Sequence, residues 1–401
     1  MDRSIEKFDV CIVGGSIAGN YLSFLLSKTN LKIAVIEEHK KIGIPLQCAG
    51  IVSQKLSKLI QFPEEIILNR VKVAKIVAPH GKFIKISSTE EPYIIDRIAL
   101  DRFFYETVQN TKSIHYFTDE KFKSFKNIKD GNQNSLKIET SRRFIISKLL
   151  IGCDGPLSSV AKSLGVKNRN LYATQIRITG NFDETEAVMY FHPKWKESFG
   201  WIVPEGNDTF RIGLASSQNL KKNFKIFIKQ LKLDLNRKID RQGGLIPYGT
   251  MNKLAFNNIL LLGDSACQVK ATTGGGIIML LTAANYAANC IQRCFKHETF
   301  SKKFIKKYYE LPCLASIGKE LKTHYLIRVL IERLSSKDFI KLFRILRTNK
   351  MEYLINLYGD MDFPKRFIFK ILRNPFVVSF LIKFIFRNPD IIVKFLRILP
   401  M

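Results

Sequence analysis

Acidic side chains are what this 401-residue chain has least of for its size: 35 Asp and Glu face 64 Lys and Arg, a formal charge of +29. Such a surplus attracts polyanions, so nucleic acid and anionic lipid head groups both become candidate partners, and charge alone does not choose between them. No stretch of about 18 apolar residues occurs, so no spanning helix is expected. The opening residues, Met1 to Phe8, are charged and run directly into an expected strand, so no secretory signal is expected either. The seven cysteines are odd in number and scattered, which argues for reduced thiols in a cytosolic setting. Cys290, Cys294 and His297 lie close together on an expected helix, but no second ligand pair accompanies them. Small buried side chains on a helix face explain them better than a metal, and no metal is expected. With 46% hydrophobic residues against 25% charged, the chain is a folded one and long enough for two or three interleaved domains.

What is present begins at the N-terminus. Residues 8–13 (FDVCIV) read as a buried parallel strand, followed by Gly14-Gly15-Ser16-Ile17-Ala18-Gly19. A helix pattern comes next, with Tyr21, Leu22, Leu25 and Leu26 on one face, then a second strand over residues 31–36 that ends at Glu37 and Glu38. In this strand–helix–strand context the glycines acquire a purpose: Gly14 permits a tight turn and Gly19 lets the helix pack closely on the strand. The helix N-terminus then offers free N–H groups to a pyrophosphate. Glu37 stands where a carboxylate accepts from a ribose hydroxyl. Ser16 replaces the middle glycine; it is small enough for phosphate approach, and its hydroxyl is expected to cap the helix. No second dinucleotide fingerprint is present, so a reduced nicotinamide would have to bind transiently, or a ferredoxin-like protein would deliver electrons.

Two later segments separate FAD from NAD. Residues 149–152 form an apolar strand that ends in Cys153-Asp154-Gly155, and residues 258–262 (NILLL) form another, ending in Gly263-Asp264-Ser265-Ala266. A glycine cluster, Gly274-Gly275-Gly276, then opens a small-residue helix at Ile277. These residues resemble the large FAD family of para-hydroxybenzoate hydroxylase-type monooxygenases, flavin halogenases and geranylgeranyl reductases. The resemblance implies that the Asp264 carboxylate meets the flavin ribityl chain. It also implies that the glycine turn faces the ring oxygen where negative charge develops on reduction, and that Arg97 lies near the ribityl and phosphate region.

Within that family the chain most resembles the geranylgeranyl reductases, the archaeal type in particular. Gly43-Ile44-Pro45-Leu46-Gln47-Cys48-Ala49-Gly50 is similar to their Gly-x-Pro-x-x-Cys-x-Gly element, and residues 264–277 to their flavin motif. Phe199-Gly200-Trp201-Ile202-Val203-Pro204 is similar to their Tyr-x-Trp-x-Phe-Pro element, with Phe199 in place of Tyr and Val203 in place of Phe. The resemblance implies FAD as cofactor and an isoprenoid lipid as substrate, with Phe199, Trp201 and Pro204 at its cavity and Cys48 and Ala49 beside the flavin. Cys48 is the candidate catalytic residue, as proton donor or as a shaper of the cavity. The competing reading is a monooxygenase or halogenase, but Cys267 and Ala271 stand where monooxygenases usually carry a histidine-like residue and a proline. Of the halogenases' Trp-x-Trp-x-Ile-Pro only Trp201 is present. Lys75 reads as a solvent-facing position of an alternating strand.

The expected fold is α/β: a Rossmann-like FAD-binding domain from residues 1–70, 95–165 and 255–300, with an interleaved antiparallel β-sheet substrate domain from 71–94 and 166–254. Residues 301–401 form a basic helical C-terminal region. There Arg373-Asn374-Pro375 and Arg387-Asn388-Pro389 each lead into an apolar-basic segment, over 376–386 and 391–399. These helices are too short to span a bilayer but suited to lying on one, or they cover the catalytic domains. A cytoplasmic protein, peripheral on the inner face of the cell membrane and in contact with anionic lipid, is expected. No RNA-binding motif is recognised, so nucleic acid is not an expected partner.

Overall fold

A computed structural model describes residues 4–87, 90–131, 133–251 and 253–398; Met1 and Leu399 lie outside the described residues. Two large sheets organise the chain. The first has five parallel strands in the order Ile259–Leu261, Phe144–Gly152, Ile5–Val13, Ile33–Ile36 and Ile114–Phe117. A hairpin, Phe122–Asp130 and Gln133–Thr140, extends it along Phe144–Gly152. The central strands are buried on both faces, which is why they read as unbroken Val, Ile and Leu. The second expected strand is shorter than its apolar run: it begins at Ile33, and Leu31 is only half-buried.

The helices Ile17–Leu26 and Ile277–Lys296 pack together over one face of this sheet. In the second of them Ala283, Ala284, Ala287 and Ala288 are all buried, the small side chains permitting close approach. Cys290 and Cys294 are buried on the same helix, while His297 lies beside the Phe304 ring.

The other sheet has seven strands, in the order Lys238–Tyr248, Arg169–Thr179, Thr209–Ser216, Gly200–Gly206, Glu186–Tyr190, Val73–Val77 and Phe83–Ile86. All neighbours are antiparallel except Glu186–Tyr190 with Val73–Val77. One face packs on the helix Leu220–Gln230 through Ile202, Phe210, Ile212 and Phe227. Lys75 is not solvent-facing. It is half-buried and lies 3.6 Å from the Glu186 carboxylate, on the sheet face it shares with Val77 and its cross-strand partner Val188.

Beyond residue 300 the chain is helical. Two stretches, Lys306–Glu310 and Leu314–Gly318, wind more widely than an α-helix, on either side of Pro312, which has no N–H to donate. The wide turns put functional groups inward. Tyr309 donates its hydroxyl to the Leu261 carbonyl at 2.6 Å. Glu310 accepts from the N–H groups of Leu254 and Ala255 at 2.8 and 2.9 Å. The C-terminal region therefore supports the strand that leads into Asp264. Replacing Glu310 with Ala orphans two buried N–H groups and is expected to cost about 2–4 kcal/mol; urea unfolding should show a lower midpoint at unchanged slope.

Candidate cofactor and reaction site

Backbone contact sets the site. Gly14 has φ +108, and a Cβ there would stand 2.4 Å from the Cys153 carbonyl oxygen. At Gly19 it would stand 1.9 Å from the Gly14 carbonyl oxygen. Three backbone segments thus meet where no side chain fits, which brings the N-terminus of the helix Ile17–Leu26 up to the strand ends. Ser16 is the residue before that helix, but its hydroxyl does not cap it; it donates to Asp101 Oδ2 at 3.0 Å. The nearby carboxylate is the stronger acceptor, and the first helical N–H groups keep no side-chain partner. Gly15 N–H donates to Glu37 Oε2 at 2.7 Å, and Glu37 Oε1 takes the His39 N–H at 2.9 Å. Glu38 points outward to Lys121 at 3.0 Å. Ala18 lies against Gly263, so the first helix and the turn carrying Asp264 are neighbours.

Arg97 opens the helix Arg97–Val108, capped by Asp96 through the N–H groups of Ile98 and Ala99. It is buried, and its Nη2 donates to both Asp101 oxygens at 3.1 and 3.0 Å. Burial works against its charge, but Asp101, with Cys48 and Asp264 nearby, holds its pKa above the usual value. Its Nε and Nη1 are buried without a hydrogen-bond partner among the described residues. A guanidinium with two unused donors marks a place for an anionic or oxygen-rich group.

Asp264 follows the strand Ile259–Leu261, and its Oδ1 lies 3.6 Å from where a Cβ on Gly276 would be. Burial pushes its carboxyl up to about 6, with Arg97 pulling the other way. Asp154 sits at the end of the neighbouring strand, but its carboxylate is taken by the Ser158 hydroxyl and the Val160 N–H, which start the helix Ser159–Ser163. The glycine turn is tied from both sides. Gly274 N–H donates to Lys270 O at 2.8 Å and Lys270 N–H to Gly275 O at 3.0 Å. Gly276 precedes the helix that starts at Ile277.

Cys48 is half-buried, and its Sγ accepts from Gly50 N–H at 3.3 Å. Gln175 donates to the Cys48 carbonyl at 3.0 Å and accepts from Trp201 Nε1 at 3.1 Å. Arg211 donates to the Ala49 carbonyl at 3.0 Å. Trp201 and Val203 pack with Ala49, Ile51 and Ile94, while Phe199 stands edge-on to Trp201. Pro204 is cross-strand to Phe210, which faces the helix Leu220–Gln230. It is three residues from Trp201, so the pleat points it to the other face of the sheet.

Several contributors carry no motif of their own. Asp101 was legible as the residue four places after Arg97 on a helix, whereas Gln175 and Arg211 are ordinary strand positions. Lys270 donates to Asp362 at 2.5 Å, and Arg328 donates to the Ala271 and Thr272 carbonyls at 2.8 and 2.6 Å. His324 bridges Thr272 and the Asp362 carbonyl. No local signal announces Arg328, His324 or Asp362, because each acts on a loop some 38–92 residues away.

A side-chain-free backbone junction, an uncapped helix N-terminus, unspent Arg97 donors and a raised Asp264 carboxyl, all neighbouring one another, fit FAD. Glu37 and the 14–19 turn would hold its adenosine and pyrophosphate, and Arg97, Asp264 and the 274–276 turn its flavin half. The fold and cleft are those of a flavin-dependent oxidoreductase. A family profile described as FAD binding domain matches residues 7–243. The chain belongs to that family and is an FAD-dependent oxidoreductase. An uncharacterised protein of Methanocaldococcus jannaschii is 27% identical over 389 residues, 92% of this chain and 96% of that one. Digeranylgeranylglycerophospholipid reductase 1 of Methanococcoides burtonii is 25% identical over 353 residues, 83% of this chain and 86% of that one. Among solved structures, a geranylgeranyl bacteriochlorophyll reductase-like protein from Thermoplasma acidophilum shares the fold at a TM-score of 0.82. It has 21% identity to 97% of this chain and 100% of its own.

Replacing Arg97 with Met should weaken FAD binding about 10–100-fold, read by fluorescence titration of cofactor-free protein, since charge-assisted bonds are lost. The raised Asp264 pKa means the folded state holds a proton that the unfolded state has lost between about pH 4 and about 6. Stability of cofactor-free protein should therefore fall through that window as pH rises. In Asp264→Asn the fall should be smaller, as measured by urea unfolding at each pH.

Proposed function

We propose that this protein saturates carbon–carbon double bonds in the isoprenoid chains of membrane lipids. The observation that carries the reading is the apolar cluster of Ile51, Ile94, Trp201 and Val203 packed on Ala49, the residue after Cys48. It is supported by the reductase named among the relatives and by the likeness of the 43–50 and 264–277 segments to that family. An isolated alkene has no carbonyl to polarise, so proton and hydride must reach it together, away from water. Bound FAD supplies the hydride.

The chain's own groups do the remaining work. Cys48 Sγ, fixed by the Gly50 N–H, holds the proton for the alkene carbon; Gln175 and Arg211 keep its loop in place by binding the carbonyls of residues 48 and 49. Trp201 is locked by its bond to Gln175, and with Val203 it excludes water from one side. Electrons come from reduced nicotinamide bound in passing or from a ferredoxin-like protein. Because the substrate lies in the bilayer, the protein works at the inner face of the cell membrane.

The test is mass spectrometry of a geranylgeranyl-bearing glycerolipid incubated with dithionite-reduced enzyme without oxygen. Mass gains in steps of two hydrogens are expected. No gain with the FAD fully reduced and the lipid dispersed overturns the reading, and substrate-dependent oxygen consumption would turn it to a monooxygenase. Cys48→Ala with FAD retained should slow the reaction about 100-fold or more; unchanged turnover removes Cys48 from proton transfer.

A further inference from the structure

The C-terminal helices have an apolar inner face that is filled and an apolar outer face that is not. In Pro375–Arg387, Val377, Phe380 and Phe384 recur at helical spacing and are buried, Phe384 against Val329 and Ile391. On the same helix Phe376, at its first turn, is 71% exposed, and Phe386, on the side away from Phe384, is 81% exposed. The helix Asp390–Ile398 repeats the pattern, with Leu396 63% exposed while Ile391 is buried; Lys365–Ile371 has no buried residue, and its Phe369 is 61% exposed. A helix apolar all round is at home in a core or against lipid, and this one has its core on one side only.

Cations outnumber carboxylates around these side chains, although Glu320 lines the same groove and Asp338 pairs with Arg387 at 2.7 Å. Residues 365–396 contain seven Lys and Arg and one carboxylate, Asp390, which is taken by Arg333 at 2.7 Å. Lys365, Arg366, Lys370 and Arg373 surround Phe363 and Phe369 in an open groove of about 430 Å³. A second copy of the chain seated face to face would set these cations against their own equivalents, which is unfavourable. Among the described residues no helix is long and apolar enough to cross a membrane. Exposed aromatic and aliphatic side chains among an excess of lysines and arginines are the composition of a helix lying in an anionic lipid surface.

We propose that residues 365–396 dock the protein onto anionic bilayers, with Phe369, Phe376, Phe386 and Leu396 entering the acyl boundary and the flanking cations meeting lipid phosphates. The inner face of the same segment stays on the protein: Lys270, beside the glycine turn, is bonded to Asp362 and to the Met361 carbonyl just before it. Docking thus orients the flavin domain toward the bilayer without insertion of a spanning helix. The proposal rests on the surface alone and holds whatever reaction the cleft performs.

The test is co-sedimentation of full-length, FAD-loaded protein with fatty-acyl vesicles, which carry no isoprenoid chain for the cleft to capture. Wild type should pellet with phosphatidylglycerol-containing vesicles and far less with phosphatidylcholine alone. Lys365→Gln and Lys383→Gln should each lower binding about fivefold. The triple variant Phe369→Ser, Phe376→Ser, Phe386→Ser, all exposed, should lower it more than about tenfold while keeping its FAD absorbance and thermal unfolding temperature. The proposal is overturned if wild type ignores anionic vesicles or if the triple variant binds them as well as wild type. It is equally overturned if the triple variant loses a dimer seen by sedimentation equilibrium, or salt-sensitive RNA binding, in place of vesicle binding.

Discussion

The meeting of three backbones at Gly14, Gly19 and Cys153 is the constraint from which the rest of the cleft follows. With no side chain between them, the first helix can start directly at the ends of the parallel strands. Its N–H groups and the carboxylates and donors on neighbouring strands then converge on one volume. Asp101 holds Ser16 and Arg97 at the rim of that junction, and Gly263 brings the Asp264 turn against Ala18. A cleft of this kind needs polar groups near water-poor walls, and their cost appears as the raised Asp264 carboxyl and the unsatisfied Arg97 donors. A bound dinucleotide, rich in oxygens, relieves both.

The same cleft is shaped from two remote directions. From the seven-stranded sheet, Gln175 and Arg211 bind the consecutive carbonyls of Cys48 and Ala49, so this loop is held by strands more than 120 residues away. From the C-terminal helices, Arg328 binds two consecutive carbonyls of the loop before the glycine turn, while His324 and Asp362 fix Thr272 and Lys270. The C-terminal region therefore braces the loop before the glycine turn as well as carrying an exposed apolar face.

Much of this was legible before any coordinates. The alternation of apolar strands with Gly14, Gly19, Asp264 and the 274–276 cluster reads out the parallel sheet and the places where the chain turns over a cofactor. Such features are local: a glycine where Cβ has no room, a carboxylate at a strand end, small residues on a helix face. Where the reading departed from the structure, a partner in space had prevailed. Ser16 bonds to Asp101 and leaves the helix uncapped, and Lys75 lies against Glu186 of the parallel partner strand.

The order of elements, the nucleotide turn and the amphipathic character of the last helices were determined by the sequence alone, because each depends on residues within one or two turns of one another. Tertiary structure alone decided which side of each element was used. Pleat parity put Trp201 toward Cys48 and Pro204 away from it, and packing filled the Phe380–Phe384 face while leaving Phe376 and Phe386 bare. Arg328 and Asp362 entered the site the same way, through contacts between segments 57 to 92 residues apart. Side-chain periodicity within a segment says that it has two faces; only the segments that pack against it say which face is inside.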